Sequence, residues 1–184
     1  MKHIISSVRI MIFFTILCGL VYPLAMTGLA QVFFKEKANG SLLSKGGEYI
    51  GSELLSQKFE KPGYFWPRPS AVTYNPLPSG GTNLGPTSEA LKVLAMDRRL
   101  KLKESHPGSG EPPQHLVFAS ASGLDPHINM DSALYQVQRI SASRSLNPDD
   151  IMNLIKKKLK SRQLGFLGEE TVNVLELNLA LDGI

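Results

Sequence analysis

Cysteine is nearly absent: the 184-residue chain has one, Cys18, and none from residue 19 onward. Residues 38–184 can therefore carry no disulfide framework and no cysteine-based zinc site. Cys18 sits inside an apolar run behind Leu17, where a lipoprotein signal needs a small residue, so it reads as an ordinary apolar-environment thiol. Histidine is scarce as well, at four, and none falls in a metal-binding rhythm with other histidines or acids. Charge excess is missing from the bulk of the chain. Lys2, Arg9, Lys35 and Lys37 against Glu36 place +3 of the total +4 within residues 1–37. The pI of about 9.2 thus reports membrane flanks rather than a nucleic-acid surface.

What is present first is Ile10 to Phe34, IMIFFTILCGLVYPLAMTGLAQVFF, without a charged side chain. In hydrocarbon a helix satisfies every backbone N–H and C=O internally, and roughly 20 apolar residues span the core. At about 1.5 Å per residue this run reaches roughly 37 Å, enough to cross with tilt. A cleaved signal is the competing reading, with Gly28-Leu29-Ala30 as the cut. The apolar residues continue past that point to Phe34, which favours a retained anchor. Thr15, Gly19, Pro23, Thr27 and Gln31 recur every fourth residue, either as a stripe for a partner helix or as chance composition. Pro23 in mid-span removes a hydrogen bond and predicts a kink or a repair. Two basic residues on each flank leave the orientation open.

The chain therefore divides into an anchor, residues 1–37 with a helix over about 10–34, and a domain, residues 38–184, sized for one core. Gly46-Gly47 joins two short apolar runs, Ser41–Leu43 and Tyr49–Leu55, as a strand pair. From Phe59 to Ser88 the periodicity fails. YFWPRPSAVTYNPLPSGGTNLGPTS holds five prolines, three glycines and the only tryptophan. Such a stretch forms a long irregular loop, anchored by Tyr64, Phe65, Trp66 and Tyr74. It is an ordered surface that meets a partner, with Arg68 beside the aromatics, or a loop packed on its own domain.

Within the loop, Gly80 to Thr87 imitates a phosphate loop, but Pro86 replaces the lysine and removes an N–H, which excludes an independent NTPase. Thr87 or Ser88 caps a helix over 89–104 with a solvated basic face. HLVFAS, 115–120, reads as a short buried strand. In ASASGLDPHIN the nucleophile elbow lacks its first glycine, and Asp125-Pro126 starts a turn, so Asp125 and His127 are not a catalytic pair. Asp131–Arg144 has helical spacing, with Gln136 and Arg139 away from the apolar face. Asn147-Pro148-Asp149-Asp150 starts a helix to about Arg162. TVNVLELNLAL, 171–181, reads as a core strand.

These stretches in this order have a counterpart. YPLAMTGLAQ, NGSLL, GSELLSQ, YFWPRPSA with NPLPSGGTNLGPTS, SGLDPHIN followed by YQVQRISASR, and QLGFLGEETVNVLELNLALD resemble the C subunits of Kdp-type potassium-transporting P-type ATPases over nearly the whole length. Ser56, where glycine is usual, and Asn129, where serine is usual, are modest departures. The resemblance implies an α/β (α+β) soluble domain on a single N-terminal transmembrane helix, in a bacterial inner membrane, with the domain extracytoplasmic. It implies three protein partners: a potassium-selecting channel-like subunit, a P-type ATPase subunit and a small single-span subunit, besides membrane lipid and no nucleic acid. The subunit itself would be non-catalytic, without an intrinsic cofactor, ATP entering through the ATPase subunit. A catalytic-chaperone role, raising that subunit's ATP affinity, is implied for the family, with the nucleotide contact at a glutamine matching Gln136. The stripe and Tyr64, Phe65, Trp66 and Arg68 are then the expected partner contacts. The alternative is a free-standing, membrane-anchored extracytoplasmic binding module.

Overall fold

The computed structural model describes residues 2–184, which form two units divided after Ile50. The first begins as one long helix, Lys2–Phe33, with mean hydropathy 2.3 and no buried residue in its most apolar window. It starts eight residues before the expected Ile10, because nothing in KHIISSVR breaks a helix. Its two α-helical parts, α1 (Lys2–Ile16) and α2 (Tyr22–Phe33), flank a widened π turn, Leu17–Val21, closed by Tyr22 N–H donating to the Leu17 carbonyl. Pro23 explains it. Its ring cannot accept the α-helical position of the Gly19 carbonyl and it has no N–H to give, so the preceding turn opens by one residue. A short α3 (Lys35–Ala38) follows, and then a hairpin of β1 (Leu42–Lys45) and β2 (Glu48–Ser52). Gly46 and Gly47 turn it at φ +64° and +90°, as the sequence requires of a two-residue connection.

The second unit carries α4 (Glu89–Ser105), α5 (Gln114–Val117), β3 (His127–Asn129), α6 (Met130–Tyr135), α7 (Val137–Arg144), α8 (Pro148–Lys158), β4 (Thr171–Asn173) and α9 (Val174–Leu181). β3 and β4 pair antiparallel, Ile128 opposite Val172. Their buried side chains join Ile140, Ile151, Ile155, Leu177 and Leu181 in one core, into which Phe65 enters from the long loop and Val117 from α5. With the apolar helix ahead of it, this mixed helix and small-sheet domain is the expected α+β class.

Four elements differ from the sequence reading. HLVFAS begins as helix α5, since Pro112-Pro113 fixes a helix start and a run of four apolar residues does not discriminate strand from helix. TVNVLELNLAL is strand only to Asn173, whose side chain accepts from Leu175 N–H (3.0 Å) and Glu176 N–H (3.1 Å) and turns the chain into α9. The Asn173 cap followed three residues later by Glu176 was the overlooked signal. The Asp131–Arg144 helix is interrupted at Gln136, and the next helix stops at Lys158, because Lys160 pairs with Thr171 instead.

Candidate functional site

The long loop is ordered without secondary structure of its own. An extended chain points the N–H and C=O of successive residues to opposite sides, so each side of Phe65-Trp66 needs a partner. Two side-chain amides provide them. From α9, Asn178 Oδ1 accepts the Phe65 N–H at 2.8 Å while its Nδ2 donates to the Phe65 carbonyl at 3.0 Å. On the other side Gln136 Oε1 accepts the Trp66 N–H at 2.7 Å, and its Nε2 donates to the Trp66 carbonyl at 3.1 Å. Asn178 and Gln136 thus stand in for two missing strands.

Gln136 reaches this position because it is the residue between α6 and α7, fully buried, with its Nε2 also donating to the Ser132 carbonyl at 3.1 Å. Its Oε1 takes a second donor, Arg139 Nη2, at 2.8 Å. Both donors and both lone pairs of the carboxamide are therefore committed within the chain.

Arg139 is the hub. Only 7% exposed, it lies on the buried side of α7 rather than on a solvated face. Its guanidinium donates to the carbonyls of Lys61, Pro62 and Tyr64 and, through Nε, to His106 Nε2 at 2.8 Å. It also stacks 4.3 Å from the centroid of the Trp66 ring. Burial brings its pKa down to about 10, which keeps it charged at neutral pH. His106 Nδ1 faces the Leu102 carbonyl at 2.8 Å, so Nδ1 holds the proton and Nε2 accepts from Arg139. Burial and the adjacent guanidinium lower the His106 pKa to about 4 against the opposing pull of that carbonyl, and the ring is neutral. Arg144 repeats the arrangement one helical turn and a half later: Nε to the Gly63 carbonyl at 2.6 Å, Nη2 to Asp182 at 2.8 Å, and the guanidinium 4.5 Å from the Tyr64 ring centroid.

Further along, Arg68 Nη1 pairs with Asp125 Oδ2 at 3.0 Å. Burial raises the Asp125 pKa, but the His127 ring at 3.7 Å, the His127 N–H at 3.0 Å and Arg68 outweigh it and bring the carboxyl to about 2. Asp125 and His127 shape a turn, as expected from Asp125-Pro126. The two imitation motifs meet each other: Gly80 N–H donates to the Ser122 carbonyl at 3.0 Å, and a Cβ on Gly123 would come within 2.7 Å of the Gly80 carbonyl oxygen. Their glycines serve close backbone contact.

Of the expected contact residues, Tyr64, Trp66 and Arg68 are half-buried with part of each side chain accessible, whereas the Phe65 ring is wholly in the core. Thr15, Gly19, Pro23, Thr27 and Gln31 are all exposed on the long apolar helix, with Gln31 and Asn39 exchanging side-chain amide contacts at 3.4 Å. A strict four-residue repeat drifts around a 3.6-residue helix, and the widened turn at Leu17–Val21 takes up part of that drift. Sequence reasoning missed Arg139, Arg144, Asn178 and His106. Arg139 and Arg144 offered one sign, two arginines on a helix rich in buried positions; His106 and Asn178 offered none. Among the described residues no group of three or more His, Cys, Asp or Glu is placed to hold a metal.

Residues 4–183 match the family model described as K+-transporting ATPase, c chain. Proteins named potassium-transporting ATPase KdpC subunit are similar throughout. The one from Koribacter versatilis is 47% identical over 185 residues, covering 99% of this chain and 95% of its own length. Those from Geotalea uraniireducens and Serratia proteamaculans are 47% and 43% identical, covering 99% and 100% of this chain and 98% and 100% of their own. The match over residues 4–183 and the full-length similarity to these relatives place the chain in the KdpC family, the c chain of K+-transporting ATPases.

Proposed function

We propose that this chain is the accessory subunit of a high-affinity, ATP-driven potassium-uptake complex, needed for assembly and acting as a catalytic chaperone that raises the ATP affinity of the P-type ATPase subunit. Its helix anchors it in a bacterial inner membrane with the domain on the extracytoplasmic side. The exposed row Thr15, Gly19, Pro23, Thr27 and Gln31 packs against membrane helices of the channel-like subunit, near the small single-span subunit, and Tyr64, Trp66 and Arg68 form the contact face of the domain. The observation that carries this reading is the pinning of Phe65-Trp66 by Asn178 and Gln136. A face already held in one conformation gives up little entropy on docking.

Gln136 acts on nucleotide affinity through that face. Direct contact with ATP would require its bonds to Trp66, Ser132 and Arg139 to open. The test is purification in mild detergent through a tag on Ile184, with potassium-stimulated ATP hydrolysis measured on what co-purifies. Recovery of an ATPase and a multispan subunit, with activity lost on deletion of this chain, is the expected result. The chain emerging alone would favour the free-standing module. In the complex, Gln136→Ala should weaken both ATP affinity and crosslinking from positions beside Trp66; a change in ATP affinity with crosslinking intact would favour direct contact.

A further inference from the structure

The loop and α4 enclose a cleft of about 320 Å³, in whose lining Trp66 alone belongs to the proposed contact face. That is the low end of the range of roughly 300 to 1,000 Å³ over which small-molecule sites join apolar walls to a few converging polar groups. Trp66 and Leu102 contribute to its apolar wall, and Lys58, Glu60, Arg98 and Lys101 bring the charge.

The charge is unbalanced. Lys58 is neutralised by Glu60 at 3.0 Å. Among the described residues neither Arg98 nor Lys101 has a carboxylate within ion-pair distance. Arg98 is half-buried, and its one hydrogen bond runs from Nη1 to the Val117 carbonyl at 3.1 Å, leaving most of a five-donor fork unmatched. Burial disfavours its charge and the nearby Tyr74 hydroxyl opposes that. A partly desolvated guanidinium without a counter-ion gains most from an anion that can accept two bonds.

We infer that this cleft binds a small organic anion, a phosphate or carboxylate carried on an apolar body of about aromatic-ring size, with Arg98 as the two-point contact and Lys101 as the second charge. The site shares Trp66 with the proposed contact face, but its two charged contacts, Arg98 and Lys101, lie outside that face, so binding by the chain alone tests it independently of the accessory role. A nucleotide and a short-chain acidic phospholipid share the required chemistry.

Trp66 lines the cleft and is the chain's only tryptophan, so its emission reports occupancy directly. The full chain in a neutral maltoside detergent is titrated with phenyl phosphate, with benzyl alcohol and with inorganic phosphate. Phenyl phosphate should give a saturable change, and each half-ligand should bind about tenfold weaker or worse, the ratio expected for losing one charged hydrogen-bonded contact. Arg98→Gln should weaken phenyl phosphate by about tenfold or more, and Lys101→Gln, on the exposed side of α4, by about threefold, with the melting temperature of the second unchanged. Adenosine monophosphate and dihexanoyl phosphatidate separate the two sources: the tighter of them names the ligand class. Absence of a saturable change with all three organic anions would overturn the inference, as would benzyl alcohol binding equally well, or both variants titrating like the unaltered chain.

Discussion

Two irregular segments of the soluble unit solve the same problem differently. Residues 161–170 project as an exposed finger whose hydrogen bonds are its own: Gln163 and Leu167 exchange N–H and carbonyl at 2.9 Å, and Leu164 and Phe166 remain 83% and 69% exposed. The Lys61–Arg68 segment sends its backbone bonds to Gln136, Arg139, Arg144 and Asn178, 70 to 113 residues away in the chain. Both lack regular structure, yet only the second depends on remote side chains. Order in a proline-rich loop therefore comes from where its backbone groups find partners, and a buried amide or guanidinium can replace a strand.

Breaking the pins should separate the two segments. Arg139→Met leaves the Pro62 and Tyr64 carbonyls, His106 Nε2 and one Gln136 lone pair without this donor, and should cost about 3 kcal/mol or more, given about 1 kcal/mol or more per orphaned acceptor. Thermal melting of the full chain, followed by Trp66 fluorescence, measures it; a loss under about 1 kcal/mol would mean that the loop is held by other means. Gln136→Ala removes the partners of the Trp66 N–H and of the Trp66 and Ser132 carbonyls, and Asn178→Ala those of the Phe65 N–H and carbonyl; each should cost about 2 kcal/mol or more, the first with a red shift of Trp66 emission as water reaches the ring.

Acid should act on the same assembly. The His106 pKa is lowered in the folded chain, so on acidification the unfolded chain binds its proton first. Stability from this group is complete above about pH 6.5 and is lost as the pH falls through about 4. Asp125 follows, its contribution lost between about pH 4 and 2. His106→Gln should flatten the melting temperature between pH 6.5 and 4 relative to the unaltered chain, and an unchanged slope would remove His106 from the account. Smallest of all, Leu164→Ser or Phe166→Ser in the finger should move stability by no more than about 0.5 kcal/mol, as for surface positions generally.

The sequence made the long apolar helix legible because an uncharged run of that length favours a helix that satisfies its own backbone, and the Gly46-Gly47 hairpin because only glycine takes both positive φ values cheaply. The irregularity of residues 59–88 was legible from proline and glycine, and its order from its aromatics. What held it was not. Gln136 and Arg139 read as polar positions of an amphipathic helix, since periodicity ranks residues by polarity and cannot foresee that a polar side chain is buried because a distant backbone needs it. Asn173 misled in the same way: an alternating run concealed a cap.

Hydrogen exchange at the Phe65 and Trp66 amides of the full chain tests the pinned loop most directly. The account predicts protection comparable to the core of α9 and well above the Gln163 and Leu167 amides of the finger, with the Trp66 protection lost in Gln136→Ala. Exchange of Phe65 and Trp66 as fast as the finger would contradict it, and would remove the preformed face on which the accessory role rests.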